Sequence, residues 1–338
     1  MSEAAISVIE AVVVIVNSTV ATAMNLMLFF LVYEDRRLRT VFNFFILNLS
    51  FADILVSVNM VITMALNLSS PDQIRENPGC TVSGFVNILC FVASVMALAA
   101  VSINRYYLVV HWQTYHVRFS RKRAVGYIAV VWILSIALVV PPLIGWGRYG
   151  YHEDKSICFV IWGASISYMV FMVGMCFMGP ISATLVSVIC IIKHRRQLQK
   201  TLGDKKDISK TQRNSIKSGD TKLVSAVQSE KITKEEYKIT LSVIIIVSLF
   251  IVSWGPFVIV MFLNAVGKVD VPRWVEFSSI VLGCMNSTGN PIVYLILNKN
   301  FRNATRRRFC KNRVAVSSND NYATRKKKSE NSNFTVYN

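Results

Sequence analysis

An all-α bundle of seven membrane-crossing helices, followed by a short amphipathic eighth helix, is the fold this sequence predicts. Three observations predict it. The 338 residues are 53% hydrophobic and only 17% charged, whereas a soluble domain carries about a quarter charged residues. The charges are segregated into short segments between long apolar runs, so the apolar surface has to meet lipid rather than water. Finally, those charged segments alternate in character: every second one is strongly basic.

Each span passes one test, the need for about 20 apolar residues to cross the hydrocarbon core. Stretches near 6–33, 41–68, 78–109, 123–146, 164–192, 235–264 and 273–297 pass it. The first carries Glu10 near its outer end and runs directly into Arg36 and Arg37, too long for the apolar core of a cleavable signal peptide. The second is interrupted by one acid, Asp53. The third, fourth, sixth and seventh hold the uncharged runs Thr81–Ile103, Ala124–Gly147, Ile239–Val266 and Phe277–Asn298. Between the fifth and sixth, 193–234 is polar and rich in Lys, Ser, Asp and Gln, which predicts a mobile inner loop with helical extensions at each end. After the seventh span, Phe301 and Phe309 share one face while Arg302 and Arg306–Arg308 lie elsewhere, the pattern of an interfacial helix. Cys310 follows it as a candidate palmitoylation site. The membrane domain thus covers 1–310, and 311–338 reads as a disordered cytoplasmic tail.

The formal charge of +18 would fit a nucleic-acid binder, but its distribution excludes nucleic acid as the partner. With the loops placed as above, 32 of the 37 Lys and Arg residues fall on one side of the membrane. Only Arg75, Arg148, Lys155, Lys268 and Arg273 fall on the other. This bias orients the chain with its N-terminus outside and its C-terminus in the cytosol, a multi-pass protein of the plasma membrane. Because the segment before the first span is only a few residues, an agonist would have to engage the helices and outer loops.

Several uncommon residues occur one set per span. They are Asn25; Asn48-Leu49-Ser50-Phe51-Ala52-Asp53; Cys80 and Asn104-Arg105-Tyr106; Trp132; Pro180; Ser253-Trp254-Gly255-Pro256; and Asn290-Pro291-Ile292-Val293-Tyr294, with Phe301 after them. In that order, over roughly residues 10–310, the chain resembles the rhodopsin-like (class A) G-protein-coupled receptors. The Asn-Arg-Tyr variant is similar to that of melatonin receptors. The run from Pro141 to Tyr149 is similar to opsins and to opsin-like orphan receptors.

The resemblance implies roles for these residues, each with a plainer alternative. Asp53, Ser94, Asn286 and Asn290 match the family's buried sodium site, a carboxylate among neutral oxygens. The alternative is a polar network that joins helices without an ion. Arg105, with Asn104 and Tyr106, matches the activation switch that contacts a heterotrimeric G protein, and Glu236 matches its acidic partner. A solvated charge pair of about 0–1 kcal/mol is the alternative. Trp254, Pro256 and Phe250 match the hinge of the sixth span, against a purely structural proline kink. Cys80 and Cys158 match the family's disulfide, on the oxidising side. Two departures stand out: Asn104 replaces the usual Asp, which predicts a looser resting state and motivates constitutive activity, and Val188 replaces a Tyr that steadies the active state.

The expected ligand pocket comprises Asn87, Ile88, Phe91, Trp254, Phe257, Val258, Met261, Ile280 and Cys284. Aminergic relatives carry an Asp where this chain has Asn87, so a protonated amine would lack its counter-charge. Opsins carry a Lys where this chain has Cys284, which excludes covalent retinal. The remaining lining fits a small lipophilic or aromatic ligand, or none. Arrestin and receptor kinases are implied as further partners, and membrane lipid as the surroundings. No metal cluster, nucleophile triad or phosphate loop marks an enzyme. A transporter, the other membrane-protein reading, would call for polar lining beyond Asp53 and for internal repeats, and neither is found.

Overall fold

A computed structural model of the chain describes residues 2–70, 78–211 and 220–308, except the side chains of 3–4, 154, 198–199 and 201–240. Among the described residues seven helices are long and apolar enough to cross a membrane. They are Glu3–Glu34, Val41–Ser69, Pro78–Val110, Arg121–Val139 with its continuation to Ile144, Ile166–Gln197, the apolar part Leu241–Ala265 of a longer helix, and Arg273–Leu297. Side-chain oxygens start several of them. Ser2, Thr40, Ser120 and Ser165 accept from backbone N–H groups of the first turns, which have no partner within the helix. Large apolar side chains such as Val16, Ile133, Val186 and Val252 are exposed along the spans, as a lipid-facing surface requires.

Prolines shape the bundle through the hydrogen bonds they remove. Pro180 follows a widened turn at Gly174–Met178 in the fifth span. Pro141 and Pro142 end the fourth span in a tight turn at Pro141–Ile144. Pro142 has no N–H to offer the Leu138 carbonyl, and the Tyr168 hydroxyl donates to that carbonyl instead, at 3.0 Å. In the seventh span, Pro291 likewise leaves the Ser287 carbonyl without its helical donor. Asn25 of the first span donates its Nδ2 there at 3.0 Å. Asn25, the first span's member of the per-span set, therefore completes a helix elsewhere.

Two short strands, β1 (Tyr149–His152) and β2 (Ile157–Val160), form an antiparallel hairpin between the fourth and fifth spans. All four β2 residues are buried, so the hairpin sits in the mouth of the bundle. Gly84 permits that depth: a Cβ there would lie 3.1 Å from the Tyr149 ring and 3.2 Å from the Phe159 amide. The Tyr149 hydroxyl donates to the Val139 carbonyl at 2.6 Å. Burial pushes this phenol well above its ordinary range, so it stays protonated as a donor.

At the opposite end, residues 299–308 form the eighth helix, with Phe301 and Ala304 buried and 306–308 exposed. Arg307 pairs with Asp35, and Arg308 with Glu34 at 3.4 Å, tying it to the end of the first span. Helices extend into the predicted loop from both sides, through Thr211 and from Asp220. The segment has no proline, and its Lys, Gln and Glu residues are good helix formers. The disordered-tail expectation for 311–338 and the palmitoylation site Cys310 lie outside the described residues, as does the side chain of Glu236.

Candidate functional site: a polar node, an aromatic column and a capped chamber

Asp53 lies mid-bundle and is 1% exposed. Its Oδ1 accepts from Ser94 at 3.2 Å and Ser287 at 3.0 Å, and its Oδ2 accepts from Asn290 Nδ2 at 2.9 Å. The second, third and seventh spans thus converge on one carboxylate. Ser287 was absent from the sequence expectation; its signal was its place beside Asn286, on the helix already supplying two candidates. Asn286 does not bond Asp53. Its Oδ1 and that of Asn290 are buried without a hydrogen-bond donor. Asn286, Ser287, Ser94 and Asp53 line the floor of a cavity of about 40 Å³, enough for an ion or one or two waters.

Above the node, aromatic rings form a column. Phe91 meets Trp254 at 4.5 Å between centroids and stacks on Phe250 at 6.0 Å. Phe177 of the fifth span packs on Phe250 at 5.3 Å. Trp254 meets Phe257 edge-on at 5.7 Å, the two residues flanking the hinge residue Pro256. Gly283 of the seventh span makes room for the indole, since a Cβ there would approach Trp254 Cζ3 to 2.8 Å.

The column continues into the hairpin. Phe159 of β2 meets Phe257 edge-on at 5.7 Å and Trp162 at 6.2 Å. With Ile88, Phe91, Trp254, Phe257, Val258 and Met261 it encloses a second cavity of only about 20 Å³. Asn87, the one amide of the expected pocket, is bonded through both its nitrogen and its oxygen. Its Nδ2 donates to the Cys158 carbonyl at 3.0 Å, and its Oδ1 accepts from Asn59 at 2.7 Å. Cys284 lines the larger cavity, whereas Ile280, though buried, lines neither. Cys80 and Cys158 form the disulfide that joins β2 to the third span. Sequence reasoning missed Phe159 and Trp162, whose only signal was their place just after Cys158.

At the far end of the third span Arg105 is 4% exposed, with its guanidinium carbon 3.4 Å from the Phe42 ring centroid, close enough for cation–π attraction. Asn104 donates to the Tyr115 hydroxyl at 3.3 Å, and the Tyr106 hydroxyl meets His111 Nε2 at 2.9 Å. Tyr294 is 1% exposed. Trp132 and Asn48, quoted separately from two spans, meet through Nε1 and Oδ1 at 2.8 Å.

A family model described as "7 transmembrane receptor (rhodopsin family)" matches residues 24–294. Among curated relatives, zebrafish (Danio rerio) G-protein coupled receptor 161 is 26% identical over 303 residues, 87% of this chain and 58% of that protein. The chain therefore spans little more than half of that relative's length. Rat (Rattus norvegicus) melatonin receptor type 1B is 27% identical over 309 residues, 87% of this chain and 76% of the relative. The crystal structure of squid rhodopsin superposes with a TM-score of 0.79 at 22% identity, covering 91% of this chain and 87% of that one.

Proposed function

This chain belongs to the rhodopsin family of seven-transmembrane receptors, and we propose that it is a plasma-membrane receptor with constitutive activity toward a heterotrimeric G protein. The hairpin end faces the exterior, and the Arg105 end with the eighth helix faces the cytosol. The positive charge bias supports that orientation.

One observation carries the functional reading: the unbroken column Phe159–Phe257–Trp254–Phe91–Phe250. It runs from the mouth of the bundle to the sixth span beside Pro256, where a missing hydrogen bond allows the helix to bend. Contact at the top therefore bears on the element whose swing would expose Arg105 to a G protein. A switch of this kind needs a two-state element that the contact biases, and the sixth helix, which runs through Pro256 one hydrogen bond short, supplies it. Without a carboxylate neighbour, Asn104 holds only the neutral Tyr115 hydroxyl, which leaves Arg105 with one restraint fewer. Arrestin, receptor kinases and membrane lipid are the further partners the family implies.

The polar node fits a sodium ion. Asp53 would supply the negative charge, Ser94 and Ser287 their hydroxyl oxygens, and Asn286 or Asn290 an amide oxygen that has no donor. Such an ion would hold the second, third and seventh spans together. No covalent chromophore is expected, because Cys284 stands where a lysine would be needed.

Basal activation across a panel of G-protein subtypes tests the proposal, with wild type, Arg105→Ala and Asn104→Asp at matched surface expression. A basal signal that Arg105→Ala abolishes and Asn104→Asp lowers is the expected result. No basal signal from wild type with any subtype would overturn the constitutive reading.

A further inference from the structure

We infer that the second outer loop is a latched plug: Phe159 fills the ligand chamber, and two ion pairs, the buried Lys155–Glu276 and the part-buried Glu10–Arg273, hold the loop in place. This inference rests on the receptor reading for its outer face and its ligand chamber, and on the contacts of the loop itself for the latch.

The hairpin is fastened at two edges of different kinds. On one edge the Cys80–Cys158 disulfide fixes β2 to the third span, and no ligand can undo it by binding. The other edge is the turn at Lys155 and Ser156, and it is held by charge. Arg273, at the start of the seventh span, forks onto Glu10 of the first, with Nε to Oε1 at 3.1 Å and Nη2 to Oε2 at 2.7 Å. The Ser156 hydroxyl donates to the same Glu10 Oε2 at 2.9 Å. Beside it, Lys155 pairs with Glu276, which also accepts from Asn264 at the end of the sixth span. Two consecutive loop residues thus bridge the first, sixth and seventh spans. Ser156 reaches this position through a left-handed backbone, φ 54°.

Three of these four charges are buried: Glu10, Lys155 and Glu276 are respectively 4%, 7% and 2% exposed, while the Arg273 side chain keeps 31% of its surface in contact with solvent. A buried pair of this kind is held while both partners are present, but losing one charge strands the other in an apolar setting. Lys155, stranded by loss of Glu276, regains water only if the loop lifts. Between the two edges the plug leaves little space. The voids beside Phe159 are about 20 and 40 Å³, whereas a ligand of ordinary size needs about 300 Å³ or more. Asn87, the amide of the expected ligand pocket, already binds the loop backbone. A diffusible ligand gains the chamber only after Phe159 has left it, and that requires the latch to part.

Cys284, beneath the plug, reports the latch directly. The full-length chain is treated with a cationic methanethiosulfonate in open membrane sheets, which makes the result independent of orientation and of G-protein coupling. The rate at Cys284 is obtained by subtracting the labelling of Cys284→Ser. Combined Glu10→Gln and Glu276→Gln should raise that rate at least about tenfold, since a stranded buried charge shifts the closed state strongly. Phe159→Ala, which alters no charge, should do the same and serves if the Gln variant fails to accumulate. Rates equal to wild type in these variants would overturn the inference, as would fast labelling of Cys284 in the wild type itself. Loss of coupling with labelling as expected would overturn only the signalling proposal.

Discussion

Gly283→Ala puts a methyl group where the Trp254 indole now lies. The added Cβ would stand 2.8, 2.9 and 3.0 Å from Cζ3, Cε3 and Cη2, so the ring must retreat by about 0.7 Å to reach ordinary contact. It has nowhere soft to go. Phe91 is 4.5 Å away between ring centroids, Phe257 stands edge-on at 5.7 Å, and the indole is rigid. Overpacking of this kind costs about 1–3 kcal/mol. The assay is thermal inactivation of the purified receptor in detergent, run as a double-mutant cycle with Trp254→Leu. Gly283→Ala should lower stability in the wild-type background and cost less than about 0.5 kcal/mol once the indole is gone, the coupling expected of residues in contact. An equal cost in both backgrounds would refute the reasoning, because the loss would then come from the seventh helix itself. The same variant should also change basal signalling, since Trp254 stands one turn below Phe257 and beside the hinge.

Two further outcomes follow from polar contacts. Replacing choline chloride with sodium chloride at equal ionic strength should raise the melting temperature of wild type, and Asp53→Asn should abolish that sodium dependence while leaving the protein folded; a rise that persists in the variant would remove the ion from the node. Tyr149→Phe should destabilise by about 1 kcal/mol, because the Val139 carbonyl loses its donor. Its pH dependence is fixed in sign: the folded phenol holds its proton above the ordinary value of 10.0, so its contribution is constant below pH 10.0 and falls above it as the unfolded chain ionises first. Stability curves for the two proteins that fail to converge in alkali would contradict this.

The spans, their number and the bias of charge were legible in the sequence because membrane burial is a one-dimensional constraint. A helix in hydrocarbon must be apolar over its whole length, so hydropathy along the chain reports it. The polar residues inside those spans were equally legible as candidates, since each is costly unless partnered. Their partners were not. Asn25 pairs with a carbonyl freed by Pro291, 262 residues away, and Asp53 takes Ser287 in preference to Asn286. Which side chain completes which depends on helix rotation and crossing, and neither is written in local periodicity. The loops were least legible. Phe159 filling the chamber, Asn87 bound to loop backbone, and Glu10 meeting Arg273 all depend on how far a short hairpin descends into the mouth. That depth is set by Gly84, by the disulfide and by ion pairs drawn from both ends of the chain. Sequence alone determined a seven-helix membrane receptor with a candidate switch. Only the tertiary structure decided what occupies its pocket, because occupancy is a property of packing between segments that do not neighbour each other along the chain.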